Sequence, residues 1–172
     1  DPYSEKKQNV IDFFDMYFQM QDRDLGDARD VLNMAIEETY NNSDIEKDPS
    51  THSNKSPTIS DLVDILRDME ENPQDYAEVK DPDDSQLVED IEEHAARLVL
   101  SMSAFEEGGQ YENLSKESDL DLDNEDMVYF NLSQQEGSGN LGLMMHILLS
   151  EVYEKSKETD KKVMFCIDEA HY

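Results

Sequence analysis

The sequence predicts a mainly α-helical protein with a small α/β part. Four segments within residues 3–105 repeat their apolar residues at helical spacing, and no strand pattern occurs among them. Two short apolar runs follow, at 127–132 and 163–167, on either side of a longer helical segment. Continuous runs of this kind are typical of parallel strands that are buried on both faces. We therefore expect a helical subdomain over 3–118 and a strand, helix, strand unit over 119–172.

The four helices of the subdomain are separated by polar turns and links. The first is predicted over 4–21 and the second over 27–40, each with one apolar face. The third begins near Thr58 and ends at Asn72, because a residue that precedes proline disfavours helical backbone. The fourth follows a polar link and ends before Gly108. The predicted core residues are Val10, Ile11, Phe13, Phe14, Tyr17, Phe18, Met20, Val31, Leu32, Ala35, Ile36, Ile59, Leu62, Val63, Leu66, Met69, Leu87, Ile91, Ala95, Leu98 and Met102.

A further helix is predicted over 141–158, between the two apolar runs. Little of its first half is polar, since apolar residues such as Leu143, Ile147 and Leu149 occur on more than one side. We expect this helix to be buried on more than one face.

Two adjacent carboxylates, Asp168 and Glu169, end the second apolar run. In open α/β sheets, ligands bind at the carboxyl ends of the strands. In P-loop NTPases an Asp at this point helps to hold Mg²⁺, and a neighbouring acid can activate the attacking water. The pattern favours a Walker B motif over 163–169. A buried strand that leaves its sheet through a polar turn would give the same sequence, and this alternative stays open.

Three stretches follow one another in a specific order along 127–172. They are Tyr129-Phe-Asn-Leu-Ser, a helix ending in Leu148-Leu-Ser-Glu-Val-Tyr-Glu-Lys, and Val163-Met-Phe-Cys-Ile-Asp-Glu-Ala-His-Tyr. In this order they resemble the conjugative-transfer ATPases of type IV secretion systems, the VirB-type members of the HerA/FtsK group. The Walker B motif of that family commonly reads as hydrophobic residues, Asp-Glu-Ala, and then an aromatic residue or His. Upstream only the layout is similar, since the family places a helical insertion before this strand.

The resemblance implies a helical insertion followed by a truncated piece of a RecA-like P-loop ATPase sheet. It implies that Asp168 supports Mg²⁺, that Glu169 activates the water that attacks ATP, and that His171 senses nucleotide or a neighbouring subunit. The parent enzyme would be a cytoplasmic homo-hexamer at the inner face of the cell membrane. It would power DNA or protein transfer through a secretion or conjugation apparatus, with DNA as a candidate partner and membrane contact only through partner proteins.

A Walker A loop, G-x-x-x-x-G-K-[ST], is missing, because none of the six glycines is followed by Lys and then Ser or Thr. Such a loop cradles the nucleotide phosphates with its backbone amides and its Lys. We therefore expect this chain to be inactive as an ATPase by itself and to be a fragment of the parent enzyme. The alternative is a non-enzymatic, acidic helical module for protein interaction, in which the Asp-Glu pair arises by chance.

Two other motif-like stretches are less specific. Residues 137–142 satisfy G-x-G-x-x-G, but four residues separate them from the preceding strand and Asp168 lies too far downstream for a dinucleotide site. Residues 119–124 are similar to the start of an EF-hand loop, but Phe130 occupies the position where calcium requires a bidentate Glu. A flexible glycine-containing loop and a solvated acidic loop are the simpler interpretations.

The histidines and the single cysteine indicate little chemistry. His52, His94 and His146 show no metal-ligand spacing and are expected to be structural or exposed. Cys166 is expected to be a small buried hydrophobic residue, and a lone cysteine without an intrachain disulfide suits a reducing compartment. No apolar run is as long as a membrane span, and no signal peptide is recognisable at the start of the sequence.

The net charge of −29, from 43 acidic and 14 basic residues, is the most extreme global property. Concentrated salt shortens the Debye length and removes most of the self-repulsion of such a chain. We therefore expect a protein from a salt-adapted cytoplasm, such as that of a halophilic archaeon. An acidic disordered protein fits the charge but not the periodic apolar segments, and a mimic of nucleic acid would need its acids at phosphate spacing.

Overall fold

The structure, a computed structural model, describes residues 2–80, 85–116, 127–132, 141–158 and 162–167. Within these ranges it contains six α-helices, three short 3₁₀-helices and no β-strand, so the prediction of a mainly helical protein is confirmed. The α-helices are α1 (Pro2–Gln19), α2 (Ala28–Asn42), α3 (Ile59–Glu71), α4 (Pro73–Lys80), α5 (Ser85–Met102) and α6 (Leu141–Glu158), and the 3₁₀-helices are Pro49–Ser53, Ser103–Phe105 and Glu112–Ser115.

The helices α1 to α5 form a bundle around one hydrophobic core. The prediction of Met20 in this core is wrong: its side chain is 40% exposed, because α1 ends at Gln19 and Met20 lies in the turn that follows. The helix α5 lies centrally, because it packs against α2, α3 and α4. Its apolar face is the predicted one: Ile91, Ala95 and Leu98 are fully buried. Spacings of three and four residues place these side chains on one side of a helix, so the sequence pattern alone locates this face.

An aromatic cluster fills the part of the core beside α1. The ring of Phe105 packs against that of Tyr17 at a centroid distance of 4.9 Å and stacks on that of Tyr111 at 5.2 Å. The hydroxyl of Tyr17 is buried and donates a hydrogen bond to the carbonyl oxygen of Ser101 at 2.7 Å. This bond joins α1 to the end of α5 and satisfies a carbonyl in the last turn of that helix.

The helix α3 begins with a capping box. The side chain of Thr58 accepts a hydrogen bond from the backbone N–H of Asp61 at 3.3 Å, and the carboxylate of Asp61 accepts one from the N–H of Thr58 at 2.7 Å. These two bonds satisfy backbone donors that the first helical turn leaves open. The predicted start of this helix is therefore confirmed.

The helix α4 is missing from the prediction, which ends the third helix at Asn72 and Pro73 and places a polar link over 78–85. The third helix does end there, but the chain turns at Asn72 and resumes as α4 with Pro73 as its first residue. Proline suits the first position of a helix because its fixed φ is helical and its missing N–H needs no partner there.

The helix α6 has the predicted bounds and packs against α1. Leu143 is fully buried in the same core as the bundle, and the ring of His146 lies 6.4 Å from that of Phe13. The opposite side of α6 exposes Leu149 and Tyr153, so the prediction of burial on more than one face is wrong for that side. The division of the chain into a unit over 3–118 and a second unit over 119–172 stays a prediction.

The two predicted strands are not formed in the described residues. Segments 127–132 and 162–167 carry no strand assignment, and most of their apolar side chains are exposed. The physical reason is that a strand, unlike a helix, completes its backbone hydrogen bonds only with a neighbouring strand. The small α/β part is therefore not supported. None of the described helices is long and apolar enough to cross a membrane.

Candidate functional site

The three residues to which the sequence analysis assigns chemistry, Asp168, Glu169 and His171, lie outside the described residues. The glycine-containing loop before Leu141 and the acidic stretch 119–124 also lie outside them. What the structure places is the segment that leads to the carboxylates, 162–167, and the helix α6 that precedes it.

The segment 162–167 is exposed along its whole length. Val163, Phe165 and Ile167 keep about half of their surface in contact with solvent, and Met164 is almost fully exposed. Cys166 is exposed as well, so the prediction that it is buried is wrong. That prediction assumed a sheet on both sides of the segment, and none of the described residues supplies one.

Segment 127–132, the other predicted strand, has the same character. Met127 and Tyr129 are exposed, and Val128 is partly exposed. Several adjacent apolar side chains that are all exposed are unusual on the surface of a monomeric protein. They mark sites of contact with another element or another chain.

The C-terminal end of α6 is fixed to the N-terminal end of α1 by a polar contact. The ammonium group of Lys157 donates hydrogen bonds to the carboxylates of Glu5 and Glu154 and lies 4.3 Å from the ring centroid of Tyr153. The hydrogen bond from Lys157 and its positive charge lower the pKa of the Glu5 carboxyl, while the two carboxylates raise the pKa of Lys157. This contact joins the end of α6 to the start of α1.

The three described histidines have different surroundings. The Nε2 of His52 lies 2.9 Å from the carbonyl oxygen of Glu46, and the ring of His146 packs on Phe13. The Nδ1 of His94 is buried without a hydrogen-bond partner. Within the described ranges, no three side chains of His, Cys, Asp or Glu come together as metal ligands would.

An open groove of about 400 Å³ lies between α1, α2 and α5. Lys7 of α1 and Glu37 of α2 form an ion pair at its side. Its lining is mixed and it is open to solvent, unlike the enclosed, mostly apolar pockets that bind small molecules. The lining residues are Lys7, Asp30, Asn33, Met34, Glu37 and Leu87.

A polar pair between α3 and α4 was not predicted. The hydroxyl of Tyr76 donates a hydrogen bond to the carboxylate of Asp68 at 2.5 Å. Partial burial of the phenol and this hydrogen bond raise the pKa of Tyr76. The pair fastens α4 onto α3. The sequence analysis missed it because it assigned no helix after Pro73. The residue spacing of eight, which brings Tyr76 over Asp68 once a turn is assumed, was the available signal.

No protein-family model matches this sequence, and neither the curated proteins nor the solved structures searched include a match. The family resemblance of 127–172 therefore rests on the residues of this chain alone.

Proposed function

We propose that this chain is part of an ATP-hydrolysing motor, and that residues 163–169 form its Walker B motif. The observation that carries the proposal is the apolar run 163–167, which follows the helix α6 and ends in Asp168 and Glu169. The helices α1 to α5 would be the helical insertion of such an enzyme.

The exposure of segment 162–167 supports this proposal. A parallel strand is normally covered on both faces and paired on both edges, so it exposes its apolar side chains when those neighbours are missing. Val163, Met164 and Phe165 are exposed in this way. Segment 127–132 is exposed too, and α6 has a free apolar side between the two segments. Together they have the composition of a strand, helix, strand piece of a RecA-like sheet.

In this proposal each site residue has a defined role. Asp168 supports Mg²⁺ on the phosphates of ATP, and Glu169 polarises the attacking water. His171, two residues further on, senses nucleotide or a neighbouring subunit. The phosphate-binding loop comes from polypeptide other than these 172 residues, because no glycine here belongs to a Walker A motif. The complete motor is a cytoplasmic ring of six subunits that moves DNA or protein through a conjugation-type apparatus.

The test is ATP turnover by a longer chain in which these residues are joined to a Walker A segment. Glu169→Gln keeps the shape of the side chain but removes its basicity, and we expect turnover to fall by about 10²- to 10⁴-fold. Nucleotide binding should persist in this variant, because Asp168 and the phosphate loop remain. Glu151→Gln in α6 is the matched control and should leave turnover unchanged. Equal turnover in wild type and Glu169→Gln would contradict the role of Glu169.

A second function is favoured by a different observation. The bundle of α1 to α5 supplies most of the residues of one hydrophobic core, and the chain carries 43 acidic residues. These are the properties of an acidic helical module that binds another protein and performs no catalysis. If a longer chain with an intact Walker A segment fails to hydrolyse ATP, this second function becomes the better account.

A further inference from the structure

We propose that the helix α6 is a strap that lifts from α1 as a unit and closes again while the bundle stays folded. Lifting would uncover the face of α1 around Phe13. The contacts of α6 and its small share of the core carry this proposal, which does not require that the chain belongs to an ATPase.

The strap lies along α1 in the opposite direction. Near the start of α6, a Cβ atom placed on Gly142 would lie 3.9 Å from the sulfur of Met20, which follows the end of α1. Near the end of α6, Lys157 pairs with Glu5 in the first turn of α1. Among the described helices α6 packs chiefly on α1. A single helix–helix surface therefore holds most of it.

The middle of α6 covers Phe13. The ring of His146 lies 6.4 Å from that of Phe13, which is buried. The other ring contacts of Phe13, with Phe14 and Phe105, are made outside α6. Lifting α6 would therefore expose one side of Phe13 and leave its remaining packing in place.

The core of the bundle depends little on α6. Among the described buried residues that form this core, Leu143 is the only one from α6, and the others lie within 11–111. Ile147 packs against the core but is only partly buried, and Leu148 is buried outside it. No side chain over 149–157 is buried, whereas α5 has five buried residues. Lifting α6 should therefore require much less free energy than unfolding the bundle, which is the condition for a separate opening.

A lifted α6 would lose much of its helical structure. Isolated helices shorter than about 12–15 residues are marginal in water even when they are rich in Ala. With 18 residues, α6 is only slightly longer than this. The pair of Lys157 and Glu5 is exposed, so it adds little to the docking. The backbone amides of α6 should therefore exchange with solvent each time the strap lifts.

The test is native-state hydrogen exchange of the 172-residue chain without nucleotide, in increasing but sub-denaturing urea, followed by mass spectrometry. In the wild type, the amides of α6 should be protected at least about tenfold less than those of α5. Urea should lower the protection of α5 steeply and that of α6 only weakly, because lifting exposes less surface than unfolding does. Equal protection of the two helices with equal urea dependence would overturn the proposal.

The substitution Leu66→Ala separates lifting from unfolding. Leu66 is fully buried in α3, which packs on α2, α4 and α5. The substitution should lower the protection of α5 by about 30-fold or more, because it destabilises the bundle. It should change the protection of α6 by less than about threefold, because the lifted and the docked states contain the same bundle. A loss of α6 protection equal to that of α5 would show that α6 opens only when the bundle unfolds, and would overturn the proposal.

Two identical substitutions within α6 test which side holds the strap. Leu143 is fully buried, whereas Leu149 is 40% exposed. We expect Leu143→Ala to lower the protection of α6 by about 30-fold or more. Its matched control, Leu149→Ala, should lower it by less than about threefold. If the two variants exchange alike, α6 frays without undocking from α1, and the proposal fails.

Discussion

The helical bundle and segment 162–167 contain the same kinds of residue with opposite results. Phe14 in α1 is 0% exposed, whereas Phe165 is 41% exposed. A helix completes its backbone hydrogen bonds within its own segment, so the bundle needs only matching apolar faces, and α1 to α5 provide them. A strand needs a neighbour for its backbone before it can form a face. The two regions therefore differ in whether the backbone finds hydrogen-bond partners. The hydrophobicity of their residues does not explain the difference in burial.

The largest expected effect separates the two regions by stability. Phe14→Ala leaves a cavity in the aromatic cluster and should lower the free energy of unfolding by about 3–5 kcal/mol. Phe165→Ala removes a half-exposed ring and should change it by less than about 0.5 kcal/mol. Urea denaturation of both variants checks this. A loss for Phe165→Ala as large as that for Phe14→Ala would mean that the segment packs in solution and would break the comparison.

The sequence predicted the bundle well because its signals are local. The four helices predicted within 3–105 correspond to α1, α2, α3 and α5, and the capping box at Thr58 is visible as Thr and Asp three residues apart. The helix α4 was missed because a proline at position 73 is compatible both with the end of one helix and with the start of the next. Local spacing cannot separate them.

The strands were mispredicted because their formation depends on residues far away in the chain or outside it. The run 163–167 has the composition of a buried strand, but composition does not supply the neighbour. The expected burial of Cys166 failed for the same reason. For the site itself, the sequence identifies Asp168 and Glu169 as candidate residues. It does not contain the phosphate-binding loop that would complete the proposed site.

Salt provides the next prediction, which concerns the bundle as a whole. With a net charge of −29, the folded chain confines repulsion that the unfolded chain relaxes by expanding. Raising KCl from about 0.05 to 1 M should stabilise the fold by roughly 2 kcal/mol, and the gain should then flatten as the Debye length reaches about 3 Å. Thermal melts followed by circular dichroism measure this, and NaCl should act like KCl.

Two results would change the interpretation of that melt. A melting temperature that stays level or falls with KCl would reject the salt-adapted interpretation. Stabilisation by millimolar MgCl₂ equal to that by molar KCl would indicate specific cation binding by the acids in place of screening.

A smaller effect tests the polar contact inside the core. Tyr17→Phe removes the hydroxyl that donates to the carbonyl of Ser101 and leaves that buried carbonyl without this donor. The expected loss is about 1–2 kcal/mol in urea denaturation. Tyr129→Phe, in the exposed segment 127–132, is the matched control and should be neutral. If the two substitutions lower the free energy of unfolding equally, the buried hydrogen bond does not contribute specifically to the stability of the bundle.

The capping box of α3 should contribute about 1 kcal/mol, which Thr58→Ala would remove. Thr58→Ser keeps the oxygen that accepts from the N–H of Asp61 and should retain most of the stability. The comparison of the two variants by urea denaturation isolates the cap from the loss of a methyl group. Equal destabilisation by Ser and Ala would show that packing of that methyl group, and not the cap, matters.

The smallest effect lies at the contact that joins α6 to the bundle, and it is a change of pKa. The hydrogen bond from Lys157 and its charge lower the pKa of Glu5 below the ordinary value of 4.5. A carboxyl whose folded pKa is lowered contributes stability above its unfolded pKa, and that contribution is lost as the pH falls through the folded value. Lys157→Gln should therefore raise the Glu5 pKa toward 4.5 in a carboxyl NMR titration. Because Glu5 is exposed, stability at neutral pH should fall only slightly.

Lys6→Gln makes the same charge change beside Glu5 without touching this hydrogen bond, so it should move the Glu5 pKa less. If Lys157→Gln and Lys6→Gln move it equally, Lys157 acts only as a general positive charge, and α6 is held on α1 by Leu143 and its apolar neighbours alone.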